Sequence, residues 1–132
     1  MSDRFLRYVP AFRIAFAVTL VVVSYLAVTP AEHKLSHLVS DKLNHMAAFL
    51  VLAALLDFSF PREEFTLAKA GALLGYGLLI EIVQYFLPFR HFSMLDLAVD
   101  ALGLAAYALL RPLCHRLPIL RERWQGSATR SA

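Results

Sequence analysis

The chain has 132 residues, 59% of them hydrophobic and 17% charged, with a formal net charge of +3. That length makes one domain, and so little charge cannot cover the surface of a soluble domain this small, so the composition points to a bilayer. A nucleic-acid partner is set aside: the basic residues stand at the tips of apolar stretches, where positive charge sets orientation in a membrane, and no basic surface with interleaved aromatics occurs.

A basic segment, residues 1–11 with Arg4 and Arg7, leads into the first apolar stretch, 12–28. A cleaved leader would end in small residues, but Leu26-Ala27-Val28-Thr29 before Pro30 is not an A-x-A site, so the stretch reads as a retained signal anchor. Three further stretches follow at 43–60, 67–87 and 94–114, each near the roughly 20 residues that cross the hydrocarbon. Pro30, Pro61, Pro88 and Pro112 fall near the predicted helix ends, where a missing N–H is tolerated. The expected fold is an all-α integral membrane bundle of four transmembrane helices over 12–114, followed by a basic, mobile tail, 115–132. With both termini cytoplasmic, the inner segments hold ten Lys and Arg (Arg4, Arg7, Arg13, Arg62, Lys69, Arg111, Arg116, Arg121, Arg123, Arg130) and the outer loops three (Lys34, Lys42, Arg90). That bias sets the expected orientation. The single cysteine, Cys114, excludes an intramolecular disulfide and is expected to be a small buried or interfacial side chain, with palmitoylation as the alternative. No Walker loop, G-x-S-x-G, H-E-x-x-H or G-x-G-x-x-G occurs.

Charge inside a spanning helix is costly, so each such residue needs a reason. Asp41, Lys42 and His45 open the second helix at i,i+3 and i,i+4 spacings, which place them on neighbouring rows of one face. Asp41 as a helix cap and Lys42 as a snorkelling side chain are the structural alternatives. Glu81 and Gln84 lie in the third helix, Glu81 about 21 Å from its start at about 1.5 Å per residue. A carboxyl at that depth has to carry a proton, be paired or face a wet cavity. Asp96 and Asp100 open the fourth helix, ahead of Gly103 and Tyr107 on the same face. Ser93 and Asp96 form an S-x-x-D capping pattern, and Arg90 in the preceding turn is the expected counter-charge. In this topology Asp41, Lys42, His45, Glu81, Gln84, Arg90, Asp96 and Asp100 share one layer near the outer face. Asp57, at the other end of the second helix near Arg62, reads as an interfacial charge. His33, His37, His91 and His115 read as solvent-facing. Gly71 and Gly75 form a G-x-x-x-G pair that would admit a second helix, within this chain or in a dimer.

These residues carry a resemblance to the VanZ-like family of small bacterial membrane proteins. The matching motifs are D-K-x-x-H at 41–45, E-x-x-Q at 81–84, P-x-R at 88–90 and S-x-x-D-x-x-x-D-x-x-G at 93–103, in order over about 40–110. Three positions depart from the pattern: Asp100 where the family usually has Asn, Phe89 where Gly often precedes the Arg, and Tyr107 where a small residue is expected. The resemblance implies a multi-pass protein of the bacterial cytoplasmic (inner) membrane, with a link to low-level teicoplanin resistance through the founding member. It implies no established chemistry.

Three functions follow. The first is a binding protein that engages membrane lipids or an amphiphilic cell-envelope ligand, a lipid-linked cell-wall precursor or a lipoglycopeptide. The second is an intramembrane enzyme acting on a lipid headgroup, with His45 and Asp41 as base, Glu81 as acid, Arg90 as a phosphate clamp, or His45, Glu81, Asp96 and Asp100 around a metal. The third is a proton-coupled transporter, which four helices would form only as an oligomer. The first is preferred, without a cofactor and without resident metal.

Overall fold

A computed structural model describes residues 2–30 and 38–124. Lys34, His33 and His37, and the tail from residue 125 with Arg130, lie outside the described residues. Six helices run in order: α1 Asp3–Leu6, α2 Val9–Val28, α3 Leu38–Ser59, α4 Leu67–Tyr85, α5 Met94–Cys114 and α6 Pro118–Arg121. Among the described residues there is no strand. Four of the helices are long and apolar enough to cross a membrane, the all-helical bundle the apolar runs predict.

Local chemistry sets most of the helix ends. Pro10 sits in the first turn of α2, where its missing N–H has no intrahelical partner to lose. Thr66 caps α4 by accepting from the Lys69 N–H, and Ser93 caps α5 by accepting from the Asp96 N–H. α3 begins five residues before its apolar run: hydropathy marks where the hydrocarbon begins, but a helix continues wherever its backbone bonds can be made. Asp41 therefore lies in the first turn of α3, where a carboxylate suits the positive end of the helix dipole. Pro112 lies inside the last turn of α5.

α3 is the central helix, packed along α5 and α2, with α4 against α5 and α3. Phe49, Leu52 and Ala53 of α3 meet Leu73 of α4 and Leu104 and Tyr107 of α5 in the core. Gly103 makes the α3–α5 seam possible: a Cβ there would lie 2.5 Å from the Met46 carbonyl oxygen. In lipid, close fits and polar ties hold helices together, because the surroundings are as apolar as the core. The Tyr76 hydroxyl is one such tie, donating to the Leu20 carbonyl at 3.2 Å and lying 2.8 Å from Ser24 Oγ. Ile14, Val18, Val21, Val22 and Tyr25 of α2 point outward, as a lipid-facing surface requires.

Among the described residues, no helix packs on Gly71 and Gly75. Both are exposed, with nothing within 4 Å of a Cβ built on either.

The first and last described segments meet at one end of the bundle. The Ser2 N–H donates to the Glu122 carbonyl at 3.1 Å, and Arg4 stands 3.4 Å from the Glu122 carboxylate. Phe5, Val9 and Phe58 are buried there, with Phe12, Leu120 and Trp124 against them. Up to Trp124, the segment expected to be loose instead packs back on the bundle, because Arg123 has a buried partner to reach. That partner is Asp57, fully buried rather than interfacial. Its carboxylate accepts from Lys69 Nζ at 3.1 Å, the Tyr107 hydroxyl at 2.7 Å, and Arg123 Nη1 and Nη2 at 2.6 and 2.8 Å. Four bonds fill the acceptor positions of a carboxylate. Arg111 Nε stands 3.5 Å from the same carboxylate without bonding it.

Candidate functional site

At the end of the bundle away from α1 and α6, α2 and α4 finish and α3 and α5 begin, and a cavity of about 800 Å³ opens between them. Its walls combine apolar side chains, among them Val23, Leu26, Phe49 and Ile80, with Asp41, Lys42, His45, Gln84, Arg90, Asp96 and Asp100. Seven of the eight residues singled out in the sequence thus line one cavity. The eighth, Glu81, is fully buried one turn below Gln84. Its Oε2 accepts from the N–H of Ser93, itself a wall residue, at 2.7 Å, and its Oε1 is buried without a hydrogen-bond partner.

Two cross-helix pairs form the polar wall. Lys42 Nζ donates to Asp96 Oδ1 at 2.6 Å, and His45 Nδ1 lies 3.0 Å from Asp100 Oδ1. Both pairs join α3 to α5 across the seam that Gly103 opens. Gly77 of α4 completes the fit, since a Cβ there would lie 2.8 Å from Asp100 Oδ2 and 3.1 Å from the Phe49 ring. Asp41 is exposed, at the cavity wall.

Two expectations change. His45 pairs with Asp100 across the bundle instead of with Asp41 on its own helix, because the α3–α5 packing turns His45 toward α5. Arg90 binds no carboxylate among the described residues. Its Nη2 donates to the carbonyls of Leu26 and Thr29, at 3.0 and 2.9 Å, while Gln84 Nε2 donates to the Ala27 carbonyl at 2.9 Å. The last carbonyls of a helix have no partner within it, and a cation there also suits the dipole, so both side chains finish α2. Arg90 Nε stays buried without a hydrogen bond.

Residues 5–115 match the family model described as VanZ/LLP1. The chain belongs to the VanZ/LLP1 family. The matched region takes in all four long helices and every residue of the cavity wall. An uncharacterized protein of Schizosaccharomyces pombe is 30% identical over 115 residues, which is 83% of this chain and 68% of that protein. No solved structure gives a significant match.

Within this VanZ/LLP1 chain, Asn44, Phe89 and His91 also line the cavity; the sequence marked Phe89 only as a departure from the family pattern and His91 only as solvent-facing, and Asn44 not at all. His91 could have been found, since it follows Arg90 in the turn whose chemistry was noticed. Asn44 lies between Lys42 and His45, but its amide carries no charge to flag it. Among the described residues, no group of three or more His, Cys, Asp or Glu stands close enough to hold a metal ion together. The metal-assisted arrangement of His45, Glu81, Asp96 and Asp100 therefore has no supporting geometry.

Proposed function

We propose that this VanZ/LLP1 chain binds an amphiphilic ligand in its polar-ended cavity, the headgroup on the Lys42–Asp96 and His45–Asp100 pairs and the chain along Val23, Leu26 and Ile80. The observation that carries this reading is the mixture of walls: charged pairs and hydrocarbon-facing residues border one open space of about 800 Å³. Pockets that orient a ligand combine apolar lining with a few convergent polar groups. Lys42, Asp96 and His45 are partly exposed at the cavity end while Asp100 is buried, so the donors of Lys42 and His45 can be redirected to a headgroup, at modest cost for the Lys42–Asp96 pair.

With the basic residues on the cytoplasmic side, as the charge bias favours, the cavity opens at the extracytoplasmic face of a bacterial cytoplasmic membrane. The ligand is then a lipid-linked cell-envelope precursor or a lipoglycopeptide, and teicoplanin-type resistance is its phenotype. A relative in a fission yeast favours the broader form, a lipid headgroup that bacteria and eukaryotes share.

Native mass spectrometry after extraction in mild detergent tests the reading. The wild-type protein is expected to carry a stoichiometric polar-headed lipid or precursor, and the double variant Lys42→Ala with His45→Ala is expected to lose it at normal membrane abundance. Identical lipid complements in both proteins would reject it. The His45–Asp100 pair supports a second reading, general-base chemistry on a headgroup. That reading requires a co-purified lipid to be converted by the wild type and left intact by His45→Ala.

A further inference from the structure

A second cavity, of about 520 Å³, lies at the opposite end, where α2 begins and α3 ends. Leu6, Val9, Leu56 and Phe60 form its apolar wall, and Arg13, Arg62 and Lys69 bring positive charge to it against Glu63. Arg13 is held in one pose: Nε donates to the Ser59 carbonyl at 3.1 Å, and the guanidinium carbon lies 5.2 Å from the Phe60 ring centroid. With Nε tied to the backbone, the two Nη groups form the free edge, the fork that binds two oxygens of a phosphate. Lys69 plays a different part. Its three donors go to Asp57, the Phe60 carbonyl and the Glu63 carbonyl, so it fixes the 60–63 turn that forms the rim. Arg62 is exposed beside it.

Depth and charge agree with this geometry. Arg13 lies four residues into α2, about 6 Å from its start, which is headgroup depth. The segments gathered at this end, 2–13, 57–69 and 111–124, hold nine Lys and Arg against five Asp and Glu. An excess of that sign concentrates anions, and basic pockets between helices suit anionic headgroups.

We propose that this cavity is a binding site for an anionic phospholipid, with Arg13 and Arg62 on its phosphate and an acyl chain against Leu6, Val9, Leu56 and Phe60. The site is separate from the cavity at the far end and does not depend on what binds there.

The full chain in detergent, titrated with phosphatidylglycerol or phosphatidylcholine and read by native mass spectrometry, tests it. Phosphatidylglycerol is expected to bind saturably and at least tenfold more tightly than phosphatidylcholine. Inorganic phosphate, which has no chains, is expected to displace it only at a hundredfold higher concentration. Arg13→Gln is expected to weaken retention at least tenfold. Arg13→Lys should recover part of that loss, since it keeps the charge and gives up the fork. Equal retention of the two lipids, phosphate as potent as the lipid, or Arg13→Gln matching wild type would each overturn the proposal. Two substitutions at exposed side chains remain decisive even if Arg13→Gln does not fold: Arg62→Gln is expected to weaken binding severalfold and Glu63→Gln to tighten it. Unchanged affinity in both would also overturn the site.

Discussion

The two ends of the bundle use the same residue types in opposite ways. Around Asp57, at the end where α1 and α6 lie, four donors from three partners saturate a fully buried carboxylate. At the far end Asp96 and Asp100 each have a single partner from α3, and the pairs border open space. The lysines show the contrast: the Lys69 side chain is 8% exposed with every donor bonded, while that of Lys42 is 32% exposed with one bond to Asp96. A saturated, desolvated knot can hold helices together but has nothing to offer a ligand. A half-solvated pair such as Lys42–Asp96 contributes little to folding and keeps its capacity to exchange partners. The charges around Asp57 are thus committed to the fold, while the Lys42–Asp96 pair at the far end stays open to a ligand.

The largest expected effect is at the knot. Asp57→Ala leaves Lys69, Arg111 and Arg123 without their common anion in a buried site, and removing one partner of a buried ion pair costs about 3–5 kcal/mol. Thermal unfolding in detergent should show most of the stability gone, with the last helix and Trp124 detached, which fluorescence of the single tryptophan reports. If Asp96→Ala were equally damaging, the division between the ends would fail.

Next comes the seam that joins them. Gly103→Val pushes side-chain atoms into the α3 backbone at Met46. Overpacking of this kind costs about 1–3 kcal/mol. Gly71→Val, on the open face of α4, meets no atom and should change unfolding by less than about 0.5 kcal/mol. Similar losses from both would mean that the α4 face is covered in the membrane.

Asp100→Asn separates the two properties. It preserves shape and an acceptor for His45 while removing the charge, so unfolding should shift by about 1 kcal/mol, the worth of a charged hydrogen bond over a neutral one. Retention of the amphiphile by native mass spectrometry should fall tenfold or more. A stability loss as large as that of Asp57→Ala, with unchanged retention, would turn the far end into a second structural knot.

How much of this the sequence disclosed depended on whether the signal was local. The four spans were legible because hydrocarbon thickness sets a length that an apolar run must meet. The start of α3 was not, because a helix extends past the bilayer without a change that hydropathy detects. The far-end wall was legible as a layer, since i,i+3 and i,i+4 spacings put Lys42 with His45, and Asp96 with Asp100, on single helix faces. Their partners were not legible: which acid meets His45 depends on the rotation of α3 against α5, which Gly103 governs. The role of Arg90 depended on carbonyls more than sixty residues earlier in the chain. Asp57 was the furthest from reach, because its partners stand 12, 50 and 66 residues away and no short spacing announces them.

A small stability effect and the sharpest test of the contrast belong to Lys42→Ala. Its ammonium is close to Asp96, at 2.6 Å, which by distance alone suggests a strong interaction. Both side chains keep contact with solvent, however, 32% and 21% exposed, and water screens such a pair while the long lysine loses freedom in holding it. The expected loss is below about 1 kcal/mol, within reach of a careful thermal melt, and Lys69→Ala should lose several times more. For a headgroup the ranking reverses. Lys42 presents donors to the cavity, so its removal should abolish amphiphile retention, while the second cavity at the opposite end, whose rim Lys69 fixes, should keep its affinity for phosphatidylglycerol. Measuring both lipids on both alanine variants gives four numbers, and a crossed pattern is expected, in which each variant loses only the lipid of its own cavity.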